Sequence, residues 1–216
     1  MIIKNPSEVA VILELLSQAY PQAHCELNFT TPFELLVATV LSAQSTDQRV
    51  NKVTARLFAQ HRTPAEFLRL SQADLEAEIQ EIGLFRSKAK NILAACRALR
   101  EEFGGAVPRT LPELMSLPGV GRKTAKVVLS NAFGIPALAV DTHVFRVANR
   151  LGLAQSTRVE ETERQLEAVI PREQWIQTHH RLIWHGRRRC GARKPACEGC
   201  TLQAHCEYFC LEHRPK

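Results

Sequence analysis

The 216-residue chain contains no apolar run long enough to cross a bilayer. The best stretch, Phe33 to Leu41, is interrupted by Glu34 and falls well short of the roughly 20 residues a spanning helix needs. An apolar signal core is also missing, since Met1-Ile2-Ile3-Lys4-Asn5-Pro6 leads into a segment carrying Glu8 and Glu14. These absences predict a soluble intracellular protein with no membrane partner. In that setting the seven cysteines are expected to be metal ligands and free thiols rather than disulfides. Strict apolar–polar alternation is absent, and no hairpin turn joins two such runs. There is no low-complexity linker and no internal repeat.

Helix punctuation is present instead. Asn5-Pro6-Ser7-Glu8, Thr63-Pro64-Ala65-Glu66, Thr110-Leu111-Pro112-Glu113 and Thr157-Arg158-Val159-Glu160 each offer an N-cap followed three residues later by Glu. Ser45-Thr46-Asp47-Gln48 is a similar start with Gln. Stops fall at Pro21, Gly104-Gly105, Gly134 and Gly152. Between these marks the apolar spacing is helical: Ile92, Leu93, Cys96 and Leu99 share one face. The fold class predicted is all-α, with a central helical block and a distinct cysteine-rich end. The N-terminal helix has no neighbour in sequence to fix its partner, and either block could receive it.

The formal charge is +6, with 28 Lys+Arg against 22 Asp+Glu. Eight Lys/Arg and three acids lie from Arg181 to Lys216, so the excess is concentrated at the end that also holds most of the cysteines. A basic tail in solvent is the plain explanation, but cysteines within it argue for an ordered basic surface suited to a polyanion.

The segment Leu117-Pro118-Gly119-Val120-Gly121-Arg122-Lys123-Thr124 follows one short helix and opens another. Two glycines around one apolar residue let the backbone turn tightly, with Val120 anchoring the turn. N–H groups at a helix start suit a phosphate, whatever the base sequence. Lys123 falls in the first helical turn, where the dipole favours a neutral, nucleophilic amine over the ammonium. For an arbitrary lysine, a solvated charge or phosphate contact is the default. Further on, Asp141 is placed to cap a helix over residues 142–151, which is a structural role that does not exclude proton transfer.

Cys190, Cys197, Cys200 and Cys206 are spaced C-x6-C-x2-C-x5-C. Four such thiolates suit zinc or an iron–sulfur cluster. Zinc is the commoner structural metal, and His205 could replace one thiolate as its ligand. Between the first two, Arg193 and Lys194 make a basic loop. Cys25, Cys96 and Cys210 are left as free thiols, with core packing expected for Cys96.

The Leu-Pro-Gly-Val-Gly run resembles a helix-hairpin-helix element. Together with the Gly134/Pro136 segment and Asp141 it resembles the helix-hairpin-helix DNA glycosylase superfamily. The cysteine spacing resembles the [4Fe-4S] loop of that superfamily's endonuclease III branch. The resemblance covers the chain from about Leu27 onward. It implies two helical domains flanking a DNA-binding cleft, with a C-terminal iron–sulfur cluster loop. One is a six-helix domain of residues 24–135 containing the hairpin; the other joins residues 1–23 to 136–216.

The resemblance further implies Lys123 as nucleophile and Asp141 as its catalytic carboxylate. The cofactor it implies is a [4Fe-4S] cluster on Cys190, Cys197, Cys200 and Cys206, with a charge near about −2 when oxidised. DNA contacts are expected from Gly119, Val120, Gly121, Arg122, Thr124, His143, Arg193 and Lys194. Gln44 matches the residue that fills the space left by an extruded nucleotide, and Leu84 the apolar wedge. Without the hairpin and the cysteines, Gln44 would read as an ordinary polar loop residue and Leu84 as a buried anchor. Phe85-Arg86 stands where relatives often carry tyrosine and asparagine, a departure that bears on contacts there.

The activity implied is base-excision repair: a bifunctional DNA glycosylase and AP lyase acting on oxidised pyrimidines such as thymine glycol. The partner is damaged double-stranded DNA, with the protein a monomer in a bacterial-type cytoplasm, associated with the nucleoid. The rivals are a monofunctional glycosylase for another lesion and a non-catalytic cluster protein that binds DNA or senses redox state.

Overall fold

The computed structural model describes residues 4–212, and every regular element among them is helical. Met1 to Ile3, from the signal-core reading, and the end of the basic tail at Arg214 and Lys216 lie outside the described residues. No helix among the described residues is long and apolar enough to cross a membrane. The chain separates into two compact units, Cys25–Ile135 and a discontinuous one of Met1–His24 with Pro136–Lys216.

Helix α1, Pro6–Ala19, starts at a complete capping box. The Asn5 side chain accepts from the Glu8 N–H at 3.0 Å, and the Glu8 carboxylate accepts from the Asn5 N–H at 3.1 Å. Its buried residues Val9, Ile12, Leu13 and Leu16 form a single stripe.

The continuous unit holds α2 (Pro32–Ser42), α3 (Asp47–Gln60), α4 (Pro64–Phe67), α5 (Gln72–Glu78), α6 (Phe85–Glu102), α7 (Leu111–Ser116) and α8 (Arg122–Phe133). The shortest of them is the single turn α4, closed by the Thr63–Glu66 capping box. Helix α2 is buried without a break from Phe33 to Leu41, so it is the unit's central helix, with α3, α6 and α8 packed on it. Its one acid is only partly satisfied: Glu34 Oε2 accepts from the Thr30 N–H at 2.6 Å and the Thr30 hydroxyl at 2.7 Å, while the buried Oε1 has no hydrogen-bond partner and lies 3.8 Å from the Arg62 guanidinium. In α6, Ile92, Leu93, Cys96 and Leu99 are all buried, and burial pushes the Cys96 thiol up to about 12, an inert core group.

The discontinuous unit contains α1, α9 (Thr142–Leu151), α10 (Val159–Val169), α11 (Trp175–Arg188) and α12 (Glu207–Glu212). Leu16, Val144, Val147, Leu166, Leu182 and Leu202 meet in its core. Helix α1 packs on α11, which settles its partner in favour of the C-terminal block.

Two helix starts differ from the sequence expectation. Helix α3 is capped by Thr46, whose hydroxyl accepts from the Arg49 N–H at 3.3 Å, and Ser45 is left in the loop before it. Helix α10 begins after Arg158, not at a Thr157 cap. Ser156 accepts from the Arg158 N–H and donates to its carbonyl, so this local turn takes over the role of a cap.

Candidate DNA-repair site

In the hairpin, the Val120 N–H donates to the Leu117 carbonyl at 3.1 Å and the Val120 side chain is buried. Gly119 has φ +78°, and a Cβ there would lie 2.7 Å from the Asn91 Cβ on α6. Only glycine satisfies both constraints. Gly121 is different: its backbone is extended, and a Cβ would meet nothing within 4 Å. It is the N-cap of α8 and supplies no side-chain hydrogen bond, and amides at a helix start suit an outside acceptor such as phosphate. Arg122 and Lys123 are exposed in that first turn and Thr124 is half-buried. The whole element is thus a turn held from beneath by Val120 and Asn91, with peptide donors and cations on its outer side.

The same unit places Gln44 and Leu84 near each other. Both are exposed, Leu84 at 61%. That excludes the buried-anchor role for Leu84. They are also the two non-glycine residues with positive φ among those described, at 57° and 60°. Each conformation costs on the order of 1–2 kcal/mol, strain of a kind that gathers at working sites. A Cβ on Gly83 would touch the Gln44 carbonyl at 3.7 Å, so the two loops abut. Leu84 is the N-cap of α6. Behind the loops, the buried Lys88 ammonium donates to the Leu41 carbonyl at 2.9 Å and to the Ala43 carbonyl at 2.5 Å. Desolvation lowers the Lys88 pKa from its ordinary value. The Arg86 guanidinium stacks 5.0 Å from the Phe85 ring centroid and pairs with Glu76 at 4.0 Å.

In the discontinuous unit Asp141 caps α9 as expected, accepting from the His143 N–H at 2.8 Å and the Val144 N–H at 2.7 Å through one oxygen. His143 is half-buried, and burial lowers its pKa; Asp141 opposes this, while Arg146 and Arg187 add to it. A Cβ on Gly186 would lie 3.0 Å from the His143 Cβ, so this glycine sets the approach of α11 to α9.

Cys190, Cys197, Cys200 and Cys206 line one cavity, walled by Leu151, Leu202 and other apolar groups. No three His, Cys, Asp or Glu side chains among the described residues close on a single ion. Four thiols lining one cavity suit a soft metal centre, either zinc or iron–sulfur. The donor set fits as well, with four soft sulfurs and an arginine beside one of them. Arg150 donates to the Cys190 sulfur at 3.2 Å, to the Gly191 carbonyl at 2.7 Å and to the Ala192 carbonyl at 2.8 Å. Its guanidinium also lies 4.5 Å over the Tyr208 ring. Arg193 and Lys194 are exposed on the loop thus held.

Lys88, Asn91 and Arg150 carry none of the motifs that single out the other residues. Each looks like an ordinary helix residue until its partner from a distant segment is seen. Gly186 had a weak signal, as a glycine inside a helical pattern.

Residues 37–172 match the model of the HhH-GPD superfamily base excision DNA repair protein. Endonuclease III of Escherichia coli (strain K12) is 49% identical over 204 residues, covering 94% of this chain and 97% of the relative. Endonuclease III of Bacillus subtilis (strain 168) is 47% identical over 203 residues, with 94% and 93% covered. A solved structure of a trapped endonuclease III–DNA covalent intermediate matches with a TM-score of 0.93 at 48% identity, covering 98% of this chain and 100% of that one.

Proposed function

Since the chain belongs to the HhH-GPD superfamily of base excision DNA repair proteins, in its endonuclease III branch, we propose that it removes oxidised pyrimidines and cuts the strand through a Lys123 Schiff base. It is a DNA glycosylase with AP lyase activity that binds DNA. The observation carrying the finer reading is Lys123 itself, exposed in the first turn of a helix whose uncapped start suits the DNA backbone.

The Lys123 amine attacks C1′ of the extruded nucleotide, the C1′–N bond to the base breaks, and the base leaves with the electron pair. Asp141 takes a proton from the attached nitrogen and passes it to O4′ as the C1′–O4′ bond breaks, which opens the sugar and leaves the protonated C1′=N linkage. Removal of a C2′ proton then expels the 3′ phosphate, and water releases Lys123 by hydrolysing the imine. Peptide donors of Gly119, Val120 and Gly121, with Arg122 and Thr124, hold one stretch of backbone; Arg193 and Lys194 hold another, and His143 adds a contact. Gln44 and Leu84 occupy the space left in the stack. Cys190, Cys197, Cys200 and Cys206 would hold a [4Fe-4S] cluster, which would cross-link the basic loop, and Arg150 fixes that loop from the protein side. The protein acts as a monomer on the DNA of a bacterial nucleoid.

Borohydride trapping on a thymine-glycol duplex tests the reading. The wild type should form a covalent adduct and Lys123→Gln none. Base release without an adduct would mean a monofunctional enzyme, and an adduct in the variant would remove Lys123 as nucleophile.

A further inference from the structure

One face of α6 gathers every loop of the continuous unit that the proposed reaction uses. Leu84, Lys88 and Asn91 are spaced i, i+4, i+7 along it. Leu84 is its strained N-cap, and its carbonyl accepts from the Lys88 N–H at 3.1 Å. Asn91 supports the Gly119 turn of the hairpin. Lys88 sits between them. Its side chain reaches back to the last carbonyls of α2, Leu41 and Ala43, immediately before Gln44. Carbonyls at a helix end have no partner within the helix and carry the negative pole of its dipole, so a buried ammonium there is a specific match.

We propose that Lys88 is a positioning residue for base extrusion: its ammonium ties the end of α2 to α6 and so sets the distance between Gln44 and Leu84. The inference rests on the glycosylase reading above. Two residues in left-handed backbone, on loops that abut, need an outside restraint to hold their relative placement. Lys88 contacts both sides, through its backbone to the Leu84 carbonyl and through its side chain to the residues leading into Gln44. Its contribution belongs to the step in which two side chains fill the helix together, not to the chemistry at C1′.

The test compares borohydride trapping rates on an abasic site in a duplex and in a single strand, where there is no stack to fill. Lys88→Met should slow adduct formation on the duplex about 10- to 100-fold, the scale of one charge-assisted hydrogen bond lost, and leave the single strand within about twofold. A 2-aminopurine placed opposite the abasic site should show a matching loss of its fluorescence change. Lys88→Gln retains donors for one carbonyl and should fall between; if Lys88→Met does not fold, this variant decides by the same ratio. Equal slowing on both substrates would mean a merely structural lysine, and undiminished duplex trapping would leave it no role; either result overturns the proposal. If the wild type forms no adduct on either substrate, the lyase reading itself has failed.

Discussion

Gly119 and Gly121 stand two residues apart in one loop, yet alanine at each should fail in a different assay. At Gly119 the φ of +78° costs an L residue about 1–2 kcal/mol. The new Cβ, 2.7 Å from the Asn91 Cβ, adds the cost of overpacking, about 1–3 kcal/mol. Stiffening of the unfolded chain returns about 0.4–1 kcal/mol. Gly119→Ala should therefore lose about 1–4.5 kcal/mol in urea denaturation. At Gly121 the backbone is extended and the space is empty. A poorer N-cap and a stiffer unfolded chain nearly cancel there, so stability should change by less than about 0.5 kcal/mol.

On the proposed reading, that empty space is where a phosphate oxygen would approach the first amides of α8. A methyl group in it should weaken binding of an abasic duplex about 10- to 100-fold, regardless of base sequence. The slope of log affinity against log salt should become shallower by about 0.9 if one phosphate contact is lost. Fluorescence anisotropy across a salt series measures both quantities. If Gly121→Ala lowered stability by more than about 2 kcal/mol, or left affinity and slope untouched, the assignment of this turn to the DNA backbone would be wrong.

Asp141→Asn should leave stability within about 0.5 kcal/mol, because Asn caps a helix as well as Asp does, while single-turnover strand cleavage falls about 10²- to 10⁴-fold. Comparable losses in both measurements would reduce Asp141 to a cap. Cys200→Ser should abolish absorbance at about 400 nm in the purified protein, and Cys210→Ser, which alters an exposed thiol, should retain it. A colourless wild type that contains zinc would reject the cluster. Burial, followed by the neighbouring His179 and His24, lowers the His180 pKa from 6.5 to about 3. Between those values the unfolded chain binds a proton that the folded one refuses, so stability declines as pH falls below 6.5. His180→Gln should remove about 2 kcal/mol of that decline between pH 6.5 and 5, measured by denaturant titration. An unchanged slope would show that His180 is protonated in the fold.

Local chemistry made much of this molecule legible in one dimension. Asn5, Thr63 and Asp141 announce helix starts by the hydrogen bonds their own side chains make, and Gly134 and Gly152 announce ends by their left-handed backbone. The Gly-Val-Gly turn is legible for the same reason. The capping errors came where two adjacent hydroxyls compete, as Ser45 does with Thr46, and the winner depends on surroundings outside the motif. Lys88 escapes a linear reading because it is a charged residue in a helix otherwise rich in exposed charge, and burial is decided by carbonyls 47 and 45 positions away. Arg150 is hidden in the same way, with partners about forty residues on. The partner of α1 was also undetermined, since an apolar stripe states that it needs a surface but not which one.

The union of α1 with α11 has a consequence in time. Everything from Cys25 to Ile135 leaves the ribosome before any of the surface that covers Val9, Ile12, Leu13 and Leu16 exists. At about 5–20 residues per second, the delay before even the first of that surface emerges is on the order of 5–20 seconds. The continuous unit can collapse within that interval, and α1 must wait as an exposed amphipathic segment. Slow translation should therefore favour capture of α1 by chaperones. A ribosome-bound nascent chain halted shortly after Ile135 should show a protease-resistant centre and a labile N-terminus.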